Sequence, residues 1–184
     1  MEIAAGPAST LSMQLTGHAG RIQTMAISPG NRWLALGVDD AVKLWDLTAR
    51  DPAAASVERQ CRHGRVTAAL FTVDGKWLVT CGDAREPAIR LWNLTSNDPS
   101  DSLLLDELDG PVRAAAVSAD SKYLVAAGND QQLRVWNLTS IQADSTPVVL
   151  TAGDAQLTNV AMSAAGDWLA ASDASGKIYL WRVA

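Results

Sequence analysis

The residues in this chain that could do chemistry are few, and each belongs to a pattern that repeats. His18 and His63 are the only histidines, so they are the candidates for a general base or a metal pair. A closed metal site needs three or four donors at short spacing, and no cluster of Cys, His and carboxylates carries that spacing. The acidic turns Asp39-Asp40, Asp83, Asn129-Asp130 and Asp173 resemble paired carboxylates. They stand where short polar residues close turns, and they read as turn formers. Cys61 and Cys81 read as two reduced, packed thiols, because two cysteines can close at most one disulfide. There is no glycine-rich phosphate loop, nucleophile elbow or HExxH motif. The expectation is a protein without catalytic residues, metal ligands or cofactor.

The elements that carry these residues recur four times. The stretch LALGVDDAVKLWDL (34–47) returns as LVTCGDAREPAIRLWNL, LVAAGNDQQLRVWNL and LAASDASGKIYLWRV. Four apolar residues, Ile22, Val66, Val112 and Leu157, each precede an aromatic residue by eleven positions: Trp33, Trp77, Tyr123 and Trp168. A second tryptophan follows 12, 15, 13 and 13 residues later, at Trp45, Trp92, Trp136 and Trp181. Four copies held in one register define a repeat array.

Each copy predicts three strands and a weaker fourth. The first (IQTMAIS, VTAALFT, VRAAAVS, LTNVAMS) is apolar on both faces, which suits an inner strand buried on both sides. A tight turn leads to a second apolar strand. An Asp- or Asn-bearing turn leads to a third, alternating strand, in which Lys43, Arg90, Arg134 and Tyr179 share one face. The Pro-bearing linkers run into ASVERQC, LLLDEL and PVVLT, which read as outer edge strands. No helical period appears, so the chain is all β.

On Gly17-His18, Trp45-Asp46, Trp92-Asn93, Trp136-Asn137 and the hairpins between them, the chain resembles a WD40-repeat β-propeller with divergent, bacterial-type repeats. The resemblance covers residues 10–184 as one domain, with repeats at about 10–47, 54–94, 101–138 and 146–184, after a tail of residues 1–9. It implies structural roles for His18, His63, Thr80, Asp83, Trp45, Trp92, Trp136 and Trp181. The family's His–hydroxyl–Trp–Asp hydrogen-bond chain is nearly complete only in the second copy, as His63, Thr80, Trp92 and Asp83. Leu36, Ala126 and Ala171 replace the hydroxyl elsewhere, and Asp109 and Asp154 replace the histidine. Blades held more by packing than by buried polar networks are expected.

The bulk numbers limit the partners. The 184 residues carry a net charge of −5, with 48% hydrophobic and 19% charged residues. That acidic balance disfavours nucleic acid, which needs a basic face, and anionic membranes alike. No apolar run approaches the ~18 residues of a membrane span, and the N-terminus lacks the pattern of a signal peptide. A cytoplasmic location is expected.

The resemblance implies blades offset from the repeats, so that each outer strand belongs with the preceding copy. Four four-stranded blades are then expected, as half of an eight-bladed ring closed by head-to-tail dimerisation. Residues 10–16 of each chain would pair with the last blade of its partner. A segment of a longer WD40 chain and a closed four-blade monomer are the other readings.

What remains for function is surface. In this family the loops that lead into the first strand share one face with the turns between second and third strands. That face would carry Arg21, Gln23, Arg65, Arg113 and Gln156, with Arg85 and Glu86 in the longer turn of copy two. Arginine is enriched at binding hot spots. The expected function is a non-catalytic scaffold that binds an unknown protein or peptide there. The alternative is an architectural blade segment of a larger assembly.

Overall fold

A computed structural model describes residues 14–18, 20–61, 64–83, 89–96, 98, 100–105, 108 and 110–183. The first sheet holds β1 (Ile22–Ile27), β2 (Trp33–Val38), β3 (Ala41–Asp46) and β4 (Ser56–Gln60), paired in that order. The second gives β5 (Val66–Phe71), β6 (Trp77–Gly82), β7 (Ile89–Asn93) and β8 (Ser102–Leu105). The third gives β9 (Ala114–Val117), β10 (Tyr123–Ala127), β11 (Gln132–Asn137) and β12 (Val148–Thr151). The fourth gives β13 (Leu157–Met162), β14 (Trp168–Asp173) and β15 (Ile178–Arg182). Every pairing is antiparallel. The chain is all β, as its alternation predicts.

The hairpin between first and second strands is built the same way four times. Ser28, Thr72, Ser118 and Ser163 each accept, on the side-chain oxygen, the N–H of the aromatic residue five positions on, at 2.9–3.0 Å. Their own N–H groups return to that residue's carbonyl. Two residues before the aromatic the chain turns left-handed, at Asn31, Gly75, Ser121 and Gly166, where small or polar residues bear the strain best. The Trp-Asp and Trp-Asn pairs close a second turn. Asp46, Asn93 and Asn137 accept from the N–H and hydroxyl of Thr48, Thr95 and Thr139.

Side chains alternate between the two faces of each sheet, so each blade has a face toward the next and a face toward the one before. Ala35, Val42 and Leu44 of the first blade bury against Val66, Ala69, Phe71, Leu78 and Trp92 of the second. Val79, Ile89 and Leu91 meet Leu124, Ala126 and Trp136 at the next seam. Val125, Ala127 and Leu133 meet Leu157, Leu169 and Ala171 at the third. The first strands β1, β5, β9 and β13 lie side by side along the array. At about 25 cal/mol per Å² of apolar surface removed from water, these seams are the main stabilising term.

The fourth sheet carries three strands within one chain, where a fourth was expected from residues 10–16 of a partner, and no described residue lies along the outer edge of β15. Gln14–Thr16 form no strand within the chain; residues 10–13 lie outside the described residues. Leu15 packs against the cluster of Leu36, Val38 and Trp45. One expectation needs correction: first strands are not all buried on both faces, since Ile22, Met25 and Ile27 of β1 are exposed where no described element covers them.

Candidate interaction face

The loops leading into the first strands and the turns between second and third strands meet at one end of the sheets, held by hydrogen bonds across and within blades. Val66 donates to the Asp39 carbonyl (2.7 Å) and Val112 to that of Gly82 (3.2 Å), each joining one blade to the next. Within the second blade Asp83 accepts from the Arg65 N–H at 2.7 Å and from its Nε at 3.2 Å. The Arg65 charge is thereby offset in an exposed pair, whose kind is worth about 0–1 kcal/mol. In the third blade Arg113 Nε donates to Asn129 Oδ1 at 2.7 Å. Gln156, at the head of the fourth, donates to the same oxygen.

The structure therefore brings Arg113 and Gln156 together through Asn129, and Arg65 onto Asp83. Arg21 is exposed and Gln23 half-buried; among the described residues no hydrogen bond or ion pair joins either to that group. Arg85, Glu86 and His63 lie outside the described residues.

Among the residues assigned structural roles, Trp92 donates its indole N–H to the Thr80 hydroxyl at 3.0 Å, inside the core. Trp45 and Trp136 are as deeply buried, yet their indole N–H groups find no acceptor among the described residues. Leu36 and Ala126 stand where Thr80 stands in the second copy. His18 packs edge-on to Trp45, ring centres 6.4 Å apart. Trp181 stacks with Tyr179 at 6.0 Å.

The reactive groups are quiet ones. Burial pushes the Cys61 thiol up to about 11 and that of Cys81 up to about 12, so neither is a thiolate at neutral pH. Asp173 closes the last turn, accepting from Ser175 and Lys177 and, on its other oxygen, from the Tyr179 hydroxyl at 2.7 Å. The Ser175 hydroxyl first, then Tyr179 and the turn N–H groups, hold its carboxyl down at about 2. Among the described residues no three of His, Cys, Asp and Glu come together as a metal site. No helix there is long and apolar enough to cross a membrane.

Sequence reasoning missed two features. The hydroxyl at the start of each first hairpin was readable from its fixed five-residue distance to the aromatic. The bridging role of Asn129 left no signal, since it depends on neighbouring blades bringing Arg113 and Gln156 to one oxygen.

With the sheets, turns and seams established, the family is clear. The family's sequence model, described as "WD domain, G-beta repeat", matches residues 9–46, 56–93, 103–137 and 145–182, and the chain belongs to the WD40-repeat family. The chain is also similar to the target of rapamycin complex subunit wat1 of Schizosaccharomyces pombe, at 28% identity over 176 residues. That match covers 90% of this chain and 51% of the relative, so the chain spans about half the length of the curated relative it matches.

Proposed function

We propose that the chain is a non-catalytic scaffold that binds a protein or peptide on the loop face of a propeller. The observation that carries this reading is the polar set Arg65–Asp83 and Arg113–Asn129–Gln156, held by hydrogen bonds within and across blades while both arginines remain exposed. Preorganised donors lose little entropy on binding. Arg21 and Gln23 are assigned to the same proposed face, and so, from the sequence alone, are Arg85 and Glu86, which lie outside the described residues. The name of the similar protein, a complex subunit, is in keeping with such a role. The buried, un-ionised thiols are in keeping with a cytoplasmic location. Affinity capture with the wild type and with an Arg21→Glu/Arg65→Glu/Arg113→Glu variant tests the face. Loss of specifically retained protein from the variant is expected, and equal recovery from both would sink the reading.

The array, residues 10–184 as one domain, closes with a second copy of itself. The exposed positions at its two ends support this. Ile178 and Leu180 of the last blade are 72% and 64% exposed. Their counterparts Val42 and Leu44 in the first blade are 0% and 1% exposed, because a following blade covers them. At the other end Met25 and Ile27 are 70% and 59% exposed, where Ala69 and Phe71 of the second blade are covered. Each end thus offers the half of a seam that the other lacks. Two copies related by a two-fold axis along the ring would cover both ends. Leu15 lies against Trp45 as Leu103 and Leu105 lie within the cluster of Trp136, so the segment before β1 runs where the outer strand of a preceding blade belongs. Further blades of a longer polypeptide, with this chain as an architectural segment, are the competing cover, favoured by the half-length match to the relative. Molar mass in solution separates the two.

A further inference from the structure

The cleft between the first and second blades holds two cations, Arg59 and Arg90, that form no ion pair among the described residues. At equivalent positions of the third strands the other polar groups each have a direct partner, although Arg134 Nη1 is buried without an acceptor among the described residues. Lys43 lies 5.3 Å from the Trp45 ring and donates to the Gly17 carbonyl. Arg134 is paired with Asp130 at 2.6 Å. Tyr179 stacks on Trp181 and donates to Asp173. The second blade differs. Arg90 lies 5.3 Å from the Trp92 ring centre, and its one side-chain hydrogen bond among the described residues is to the Ser102 hydroxyl at 3.0 Å. A second guanidinium, Arg59 from β4 of the neighbouring blade, lies 5.5 Å from the same ring.

Neither arginine has a carboxylate within ion-pair distance among the described residues. Arg59 Nε and Nη1 and Arg90 Nε are shielded from water and have no acceptor. A buried donor left unmade is costly, and a buried cation more so. The aromatic face offsets part of one charge, but not two converging on the same ring. Burial lowers the Arg59 pKa, against the more distant pull of Asp101 and Asp98. The carboxylate beside it, Glu58, accepts from Gln60 instead.

Arg59, Arg90, Trp92, Ser100 and Ser102, together with Glu58 and Gln60, line an open cleft of about 330 Å³. That is room for a side-chain terminus with several waters, at roughly 30 Å³ per water. The cleft follows β4, which is the last strand of its sheet and has one backbone edge without a strand partner among the described residues. An extended segment can add there and insert alternate side chains between the blades.

We propose that this cleft is a docking site for an anionic side chain, carboxylate or phosphate monoester, carried on an extended segment of a protein partner. Arg59 and Arg90 donate to its oxygens and Trp92 forms the floor; guanidinium forks suit both oxyanion geometries. The site shares no named residue with the proposed loop face.

The arginine Nε–H resonances of the full chain test it, titrated separately with a phosphoserine peptide, a glutamate-rich peptide and inorganic phosphate. The Arg59 and Arg90 resonances should shift saturably with one of the peptides, and the tighter peptide identifies the anion. Arg59→Gln and Arg90→Gln should each weaken that binding by about tenfold. Arg59→Lys, which keeps charge but loses the fork, should weaken it less and serves as the folded alternative if Arg59→Gln unfolds. No shift with either peptide at millimolar concentration would overturn the site. So would undiminished affinity in the folded Arg59 variant, or inorganic phosphate binding as tightly as both peptides.

Discussion

Single side chains decide how well each blade is finished. Trp92 has its Thr80 acceptor, while Trp45 and Trp136 bury an indole N–H with none among the described residues. Thr80→Val should therefore destabilise by about 1–3 kcal/mol, the cost of stranding a buried donor. Ala126→Ser, which offers the Trp136 indole a hydroxyl at the equivalent place, should raise stability by about 0.5–1.5 kcal/mol. Urea unfolding of the two variants beside the wild type measures both, and an Ala126→Ser protein less stable than the wild type would contradict the pairing. Acid stability is set at this scale too. Asp173 and Asp120 ionise at about 2 when folded, held down first by the Ser175 and Ser118 hydroxyls, against an ordinary 3.8. Their folded values are depressed, so their stabilising contribution is complete above about pH 4 and is lost as pH falls toward 2. The melting temperature should hold between pH 7 and 5 and fall below 4, and Asp173→Asn should make that fall shallower. The repeated positions of Thr80 and Trp92 were legible because spacing alone aligns the copies. The paired cations at Arg59 and Arg90 over one ring were not, because they meet only where two blades pack.

At the scale of strands and seams, the close approach of one blade to the next sets the tolerance for change. A Cβ added at Gly37, in β2, would lie 2.7 Å from both Thr24 Cγ2 and Val66 Cγ1, the latter on the neighbouring blade. Gly37→Val should cost about 1–3 kcal/mol through overpacking. Gly30, in the first hairpin, has nothing within 4 Å of such an atom, and Gly30→Ala should change stability by less than about 0.5 kcal/mol. Denaturation midpoints of the pair test whether the seam between the first two blades resists expansion; equal midpoints would show that it does not. Most strands were legible, since alternation and turn residues agree in every copy. The exposure of β1 was not, because local pattern says that a strand is apolar and not whether a neighbour arrives to cover it. The short 3₁₀ turn at Leu138–Ser140, capped by Asn137, is set by one side-chain hydrogen bond and has no period to read.

For the whole molecule, counting copies told more than any motif within them. Four repeats in register predicted four packed sheets, and their linear order predicted two unlike ends. Which surface covers those ends is beyond any one chain's sequence pattern, since a second copy and further blades would bring the same apolar positions. Ile178→Asp/Leu180→Asp on the last blade should abolish association while leaving the interior seams intact, because both side chains are exposed within one chain. Far-ultraviolet circular dichroism of that variant should match the wild type. Light scattering coupled to size-exclusion chromatography gives the most direct test of ring closure. The wild type should elute at twice the chain's 19.5 kDa and the double variant at 19.5 kDa, whereas a folded, soluble wild-type monomer at micromolar concentration would contradict closure by a second copy.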